Sequence, residues 1–300
     1  MGIEGIRELV ARLSAPGNAL IAVGIALQAQ AAEIPRDSSL QSRVDEVLKA
    51  LGALEAIRGL GPAEVAPVLA GIRADLLLGA KLISRGSSAP GWSHAEGELL
   101  QSFGDVSAGF PRLLKTKIAP QLDGLLDRLD GPDASFLDVG VGVAALSIEM
   151  VRQWPSLRVI GIDPWSPSLA IARQNVRSAG LTAQIELHEK AGEDLAYTDA
   201  FDLGWVPSAF IPERSIPKIV ERVSRALRPG GWLLLAMVNP GADPLVAATA
   251  RFRTTLWGGS LLTTDAVKTL LRGSGLVEAR MLAGPPGSPI AMAAARRAQS

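Results

Sequence analysis

The stretch Ser135-Phe136-Leu137-Asp138-Val139-Gly140-Val141-Gly142-Val143-Ala144-Ala145-Leu146 decides the fold. It reads as a buried strand, a glycine turn and the start of a helix. Phe136, Leu137 and Val139 are apolar and suit a strand. Gly140 and Gly142 let the backbone turn tightly and approach a ligand closely. From there Val143, Leu146, Ile148, Val151 and Trp154 recur at helical spacing. The first N–H groups of a helix have no partner in the helix itself, so a strand–turn–helix junction is a ready ligand site. About twenty residues on, a second apolar strand, Val159-Ile160-Gly161-Ile162, ends in the carboxylate of Asp163. An α/β fold holds a nucleoside with this pair, the turn lying under the tail and the acid on the ribose.

Two cofactors suit that geometry. Gly140-x-Gly142-x-x-Ala145 matches the dinucleotide fingerprint, with Asp163 suitably distant. Asp138 separates the readings, because a carboxylate two residues before the first glycine would repel a pyrophosphate. Beside the cationic amino group of S-adenosylmethionine (SAM) the same carboxylate helps. At this point the chain resembles the class I SAM-dependent methyltransferases, whose first motif is D/E-x-G-x-G-x-G. Asp138, Gly140 and Gly142 match it, with Ala144 at the third glycine. A second resemblance is the order Phe201-Asp202-Leu203, helix, Leu227-Arg228-Pro229-Gly230-Gly231, apolar strand.

The rest of the chain fits around that centre. Strands are expected at Arg158–Ile162, Ala183–Leu187, Phe201–Trp205 and Trp232–Val238. Helices between them begin at Ser166-Pro167 and at Glu213. This alternation argues for a parallel sheet covered on both faces. A helix near Leu245–Leu256 and another from Thr263 lead to two last strands, Val277–Leu282 and Ile290–Ala295, around Gly284-Pro285-Pro286-Gly287. The family closes its sheet with such an antiparallel hairpin. One helix is expected over Leu113–Leu129. The resemblance implies a Rossmann-like seven-stranded α/β methyltransferase sheet over residues 112–300.

Residues 1–111 read as an all-α N-terminal domain and a joint. Apolar positions are spaced for helices, with breaks at Pro16-Gly17-Asn18, near Glu33–Pro35, before Asp37-Ser38-Ser39 and at Gly59–Pro62. The stretch Val47–Glu55 resembles the helical dimerisation domain found in front of small-molecule methyltransferases, which implies a homodimer. Residues 86–111 read as a loop-rich joint. In related enzymes such a segment folds over the cofactor, and Trp92, His94 and Phe103 would then line the pocket. The apolar run Ala19–Leu27 is too short to span a bilayer, and Glu4 and Glu8 stand where a signal peptide needs a basic region, so it reads as a buried helix of a cytoplasmic protein.

Composition removes other classes. The chain has 300 residues, 48% hydrophobic, with zero formal net charge, which supplies no overall basic surface for a nucleic-acid partner. It has no cysteine and two histidines, His94 and His188, so no thiolate metal site exists and none is expected from other ligands.

The resemblance then assigns roles. Asp163 accepts both ribose hydroxyls, for which a carboxylate is suited. Pro164 and Trp165 offer an apolar surface to adenine. The family's acid for the adenine amino group aligns with Ala191, so either Glu193 or the backbone at Ala191 and Gly192 takes that place. Trp205, Pro207, Ser208 and Phe210 follow the fourth strand, where methyl group and acceptor meet. With Trp92 and Trp257 these aromatics would form an apolar acceptor pocket or, equally, core packing. A hydroxyl acceptor needs a base, and His94 is the candidate. The expected activity is SAM-dependent methyl transfer to a small apolar or aromatic molecule at oxygen. A non-catalytic SAM-binding regulator and an NAD(P)-dependent oxidoreductase are the alternatives.

Overall fold

The structure is a computed structural model that describes residues 2–32, 38–85, 91–239, 241–283 and 290–299. The chain divides into two compact units, one of residues 1–86 with 105–109, the other of residues 87–104 with 110–300. The helix boundaries expected near Glu33–Pro35 and at Asp37, residues 86–90 of the joint and the Gly284–Gly287 turn lie outside the described residues.

The first unit is helical: α1 (Ile3–Ala32), α2 (Ser38–Ala50), α3 (Leu54–Arg58) and α4 (Pro62–Arg85). Its core joins Ala26 and Leu27 of α1, Val44 and Leu48 of α2, and Val65 and Leu69 of α4. Gly24 lets α1 approach α4, since a Cβ there would sit 3.3 Å from Ile72 Cγ2. The expected break at Pro16-Gly17-Asn18 does not occur; α1 runs through it with Pro16 inside. Pro16 and Arg12, whose carbonyl loses its N–H partner, are both exposed, so solvent can satisfy that carbonyl. The unbroken helix alters a second expectation. Over Ile3–Ala31 it is long and apolar enough, by length and composition, to cross a membrane. Nor is the Ala19–Leu27 run wholly buried: Ala22, Ala26 and Leu27 are, while Leu20 and Ile21 are exposed.

The second unit opens with α5 (Gly97–Asp105), where a loop was expected. Leu99 and Leu100 are buried and turn one face of that helix inward. Next come α6 (Phe110–Leu113), a π-spaced turn at Leu114–Ile118, a 3-10 turn at Ala119–Gln121 and α7 (Leu125–Leu129). The single helix expected here is interrupted because Pro120 cannot donate and Gly124 turns left-handed at φ 72°.

Strands and helices then alternate: β1 (Ser135–Val139), α8 (Ala145–Gln153), β2 (Arg158–Asp163), α9 (Ser166–Ser178), β3 (Ile185–Glu189), β4 (Phe201–Pro207), α10 (Ile216–Ala226) and β5 (Leu227–Val238). The chain ends with α11 (Pro244–Trp257), α12 (Thr264–Gly273), β6 (Leu276–Leu282) and β7 (Ile290–Arg297). The seven strands lie in the order β3-β2-β1-β4-β5-β7-β6. The first five are parallel and β7 runs antiparallel between β5 and β6. Every residue of β1 is buried, as a strand covered on both faces requires. One apolar layer packs α8 and α9 on the sheet, and the other packs α10 and α12. Strand order reverses between β1 and β4, so the crevice outside their carboxyl ends is where this architecture binds ligands.

The opposite end of the sheet is tied by Asp202. Its buried carboxylate accepts from Arg228 at 2.7 Å, Arg128 at 3.2 Å, and the Ser135 amide and hydroxyl at 3.0 Å. Gly231 allows that crossing, since a Cβ would meet Phe201 O at 2.9 Å. The Arg228–Gly231 run is therefore part of β5, whose register slips between Phe201 and Leu203 of β4, rather than a loop before it.

Candidate active site

The turn after β1 is left-handed at Gly140, Gly142 and Ala144, with φ of 71°, 55° and 65°. The two glycines adopt this without strain; Ala144 holds it as the residue preceding α8, fully buried against the core. Four of the turn's amides are spent inside the protein. Gly140 and Val141 donate to Ile162 O at 2.8 and 3.0 Å, and Ala144 donates to Val141 O at 2.9 Å. Gly142 donates to Asp163 Oδ2 at 2.9 Å. The other oxygen of Asp163 accepts from Trp165 N at 2.8 Å. The acid at the end of β2 thus fixes the turn and starts the next loop. Its remaining lone pairs leave acceptor capacity for a diol.

Asp138 is buried beneath the same turn and accepts from Ser147 Oγ at 2.6 Å. Burial pushes its carboxyl up to about 7; the Ser147 hydrogen bond opposes this and the neighbouring Asp163 charge adds to it. Asp163 is also raised by burial, held back by the Trp165 and Gly142 amides. Ser147, on the inner face of α8, went unnoticed in the sequence. Its signal was a hydroxyl in the otherwise apolar first turn of a helix following a motif acid.

Residues 91–104 pack over this turn. A Cβ on Gly104 would meet Val143 Cγ2 at 2.1 Å, so α5 lies directly against the turn. Asn175 of α9 donates to both Gln101 Oε1 and Val143 O, at 3.0 and 2.9 Å. Trp165 Nε1 donates to His94 O at 2.6 Å. His94 is buried, with its ring edge-on to Trp92 at 5.2 Å. None of these ties was read from the sequence, because each joins residues far apart in the chain.

Four of the expected pocket aromatics come together. Trp92 meets Phe103 and Phe210 edge-on at 5.2 and 5.6 Å, and Phe210 stacks on Trp257 at 4.8 Å. Phe103 touches Trp257 at 5.9 Å. Arg253 lies 4.9 Å over the Trp257 ring, a contact the sequence did not announce. Trp205 stands apart, tilted against Phe110 at 4.5 Å on the core side of β4. Ser208 is fully buried; its hydroxyl donates to Ala236 O at 2.8 Å and its carbonyl accepts from Ser260. It serves to join β4, β5 and the segment after α11. Pro207 lies against the turn, 3.6 Å from a Cβ built on Gly140.

Around the expected adenine edge, Pro164 is exposed, while Trp165, Ala191 and Glu193 are half-buried. Gly192 is buried, and a Cβ there would meet Ile219 at 2.9 Å and Val139 at 3.2 Å. Its missing side chain therefore serves the packing of α10. Lys190 N donates to Asp163 O at 3.1 Å, which brings this loop beside the acid.

Among the described residues no group of three or more acidic or histidine side chains is arranged to hold a metal. The site offers instead a carboxylate for a diol, a buried carboxyl whose ionisation a nearby cation would favour, and a turn in which the Gly140, Val141, Gly142 and Ala144 amides are engaged within the protein. A pyrophosphate would place like charge beside the buried acid. The buried carboxyl of Asp138 fits the cationic SAM better than the pyrophosphate of a dinucleotide.

Residues 136–231 match the family model described as "Methyltransferase domain". A malonyl-[acyl-carrier protein] O-methyltransferase from Xylella fastidiosa is 28% identical over 154 residues, 49% of this chain and 48% of that protein. The chain spans about half the length, or less, of the first curated relatives it matches. Among solved structures, an O-methyltransferase family protein from Burkholderia thailandensis superposes with a TM-score of 0.63 at 15% identity, covering 98% of each chain. Human N-acetylserotonin methyltransferase in complex with SAM gives 0.60 at 15% identity, covering all of both chains. At such identities the likeness to these methyltransferase structures concerns the fold alone.

Proposed function

We propose that this chain, carrying a class I methyltransferase domain, transfers a methyl group from SAM to an oxygen of a small apolar or aromatic molecule. The observation that carries the reading is the glycine turn tied to Asp163, with Asp138 buried beneath it. SAM supplies a methyl group already activated on a sulfonium sulfur. Protein groups therefore chiefly align the partners and exclude water. Asp163 holds the ribose and keeps the turn in place, and Asp138 in its ionised form favours the donor's positive charge. The half-buried Trp165 flanks adenine, and the Ala191–Glu193 backbone meets its edge.

The acceptor lies against Trp92, Phe103, Phe210 and Trp257, whose edge-on contacts give way to a flat molecule. Curated relatives carry names for nitrogen as well as oxygen methylation, so the oxygen reading rests on this apolar surface and on buried His94 beside it. We assign His94 to removing the acceptor proton. The chain acts as a homodimer, with the exposed Ile6, Val10, Leu13 and Ile21 of α1 against a second copy; a monomeric mass in light scattering would contradict this.

The test is transfer of labelled methyl from SAM to a panel of phenols, with aliphatic alcohols and amines for comparison. Methylated phenols, formed at a rate that falls at least tenfold in His94→Ala, support the reading. Unchanged turnover in His94→Ala removes the base. SAM binding without turnover on any acceptor overturns the transferase in favour of a SAM-binding regulator.

A further inference from the structure

Asp138 and Ser147 form a buried pair under the glycine turn. Asp138 is 2% exposed and Ser147 0%, and the Ser147 hydroxyl, at 2.6 Å, is the one hydrogen-bond donor to that carboxyl among the described residues. On its face of the sheet Asp138 stands between Gly161 of β2 and Trp205 of β4. A Cβ on Gly161 would meet Val141 Cγ2 at 2.7 Å and Leu187 Cδ2 at 2.9 Å, so apolar side chains already fill that space. Asp163, at the end of β2, bears on Asp138 and has the same sign of charge. The other charged groups of the adjoining elements are turned elsewhere. Glu149 and Arg152 of α8 pair with each other. Arg158 and Asp202 lie at the opposite ends of β2 and β4. In the segment over the turn, Glu98 is exposed and His94 packs its ring on Trp92. With no facing cation among the described residues, the buried carboxyl keeps its proton up to about 7.

We propose that SAM binding is coupled to the loss of one proton from Asp138, and that Ser147 is the positioning residue that sets how readily this proton leaves. The coupling rests on the SAM reading of the turn. SAM brings a fixed sulfonium charge and an ammonium group to the carboxyl, and a nearby cation favours the ionised form. The O–H bond of the Asp138 carboxyl breaks, its electron pair stays on the carboxylate, and the proton passes to water. The Ser147 hydroxyl donates to the group in both states, and more strongly to the carboxylate. It therefore eases the ionisation that burial opposes.

The test is calorimetric titration of the full chain with SAM in two buffers of different ionisation enthalpy, which counts the protons exchanged, from about pH 5.5 to about pH 7.5. Wild type should release about one proton at about pH 6 and about half a proton at about pH 7, and its SAM affinity should weaken about fivefold between about pH 7 and about pH 6. Asp138→Asn shares SAM's own titration but has no proton to give, so it should release none. Ser147→Ala should move the release profile up by about one pH unit, a shift that a merely structural role would not produce. Melting curves of both variants are recorded alongside, and the wild-type proton count decides even where a variant unfolds. SAM binding without proton release at about pH 6 overturns the proposal and leaves the SAM site standing. Release retained by Asp138→Asn assigns the proton to another group, Asp163 first, and overturns it as well. An unshifted profile in Ser147→Ala overturns the part given to Ser147. No binding of SAM at any pH overturns both the site and the coupling.

Discussion

Asp138 should make the protein less stable as pH rises through the weakly acidic range. Its carboxyl is buried, with the Ser147 hydroxyl donating to it, and titrates near 7 rather than at the ordinary 3.8. That is roughly a thousandfold change in proton affinity, worth about 4 kcal/mol. In the unfolded chain Asp138 loses its proton near pH 4; in the folded chain it keeps it to about 7. Between those values the folded state binds more protons, so stability falls with rising pH and levels off above 7. About 3 kcal/mol of the effect lies between roughly pH 4.5 and 8, a large part of a typical domain's margin. Asp138→Asn carries no such titration. Its amide has a cost of its own, but that cost is the same at every pH. Asp163, also raised by burial, remains in both proteins, so its contribution largely cancels. Urea unfolding of both proteins at several pH values should therefore show the variant gaining on wild type by about 3 kcal/mol from about pH 4.5 to 8. A difference constant to within about 0.5 kcal/mol would refute the reasoning.

Two further outcomes follow from contacts in the sheet unit. Gly104→Ala places a Cβ 2.1 Å from Val143 Cγ2, so α5 must shift away from the turn. We expect a loss of about 1–3 kcal/mol in urea unfolding, together with weaker binding of S-adenosylhomocysteine. Asp202→Asn removes the charge that holds Arg128 and Arg228 at the far end of the sheet. It should cost about 3 kcal/mol in stability while leaving the nucleoside affinity of the folded protein unchanged.

Much of the fold was legible because its signals are local. The β1–turn–α8 unit rests on two glycines and a change of hydrophobic period, both visible in a dozen residues. The closing hairpin was legible from two apolar runs, although its turn residues lie outside the described ones. What the sequence hid depends on tertiary context. Pro16 does not end α1 because water can satisfy the carbonyl it frees, and exposure is not written in the sequence. Residues 97–105 form a helix where glycine and proline nearby suggested a loop, and their inner face is defined by a turn forty residues away. In the site, the positions of Asp138 and Asp163 could be read from spacing. The partners that set their chemistry, Ser147 and the Gly142 amide, could not. Aromatic residues showed the same limit. Composition could not distinguish Trp205, which packs against Phe110, from Trp257, which stacks on Phe210.

The central claim is that the glycine turn and Asp163 form a SAM site. Calorimetric titration with SAM, S-adenosylhomocysteine and NADH, on wild type and on Asp163→Ala, tests it most directly. Melting curves of both proteins show whether the variant still folds. The account predicts that wild type binds both sulfur nucleosides and not NADH, and that Asp163→Ala loses at least about tenfold in affinity for both, through the missing ribose acceptor. Binding of NADH alone, or sulfur-nucleoside binding unchanged in the variant, would contradict it.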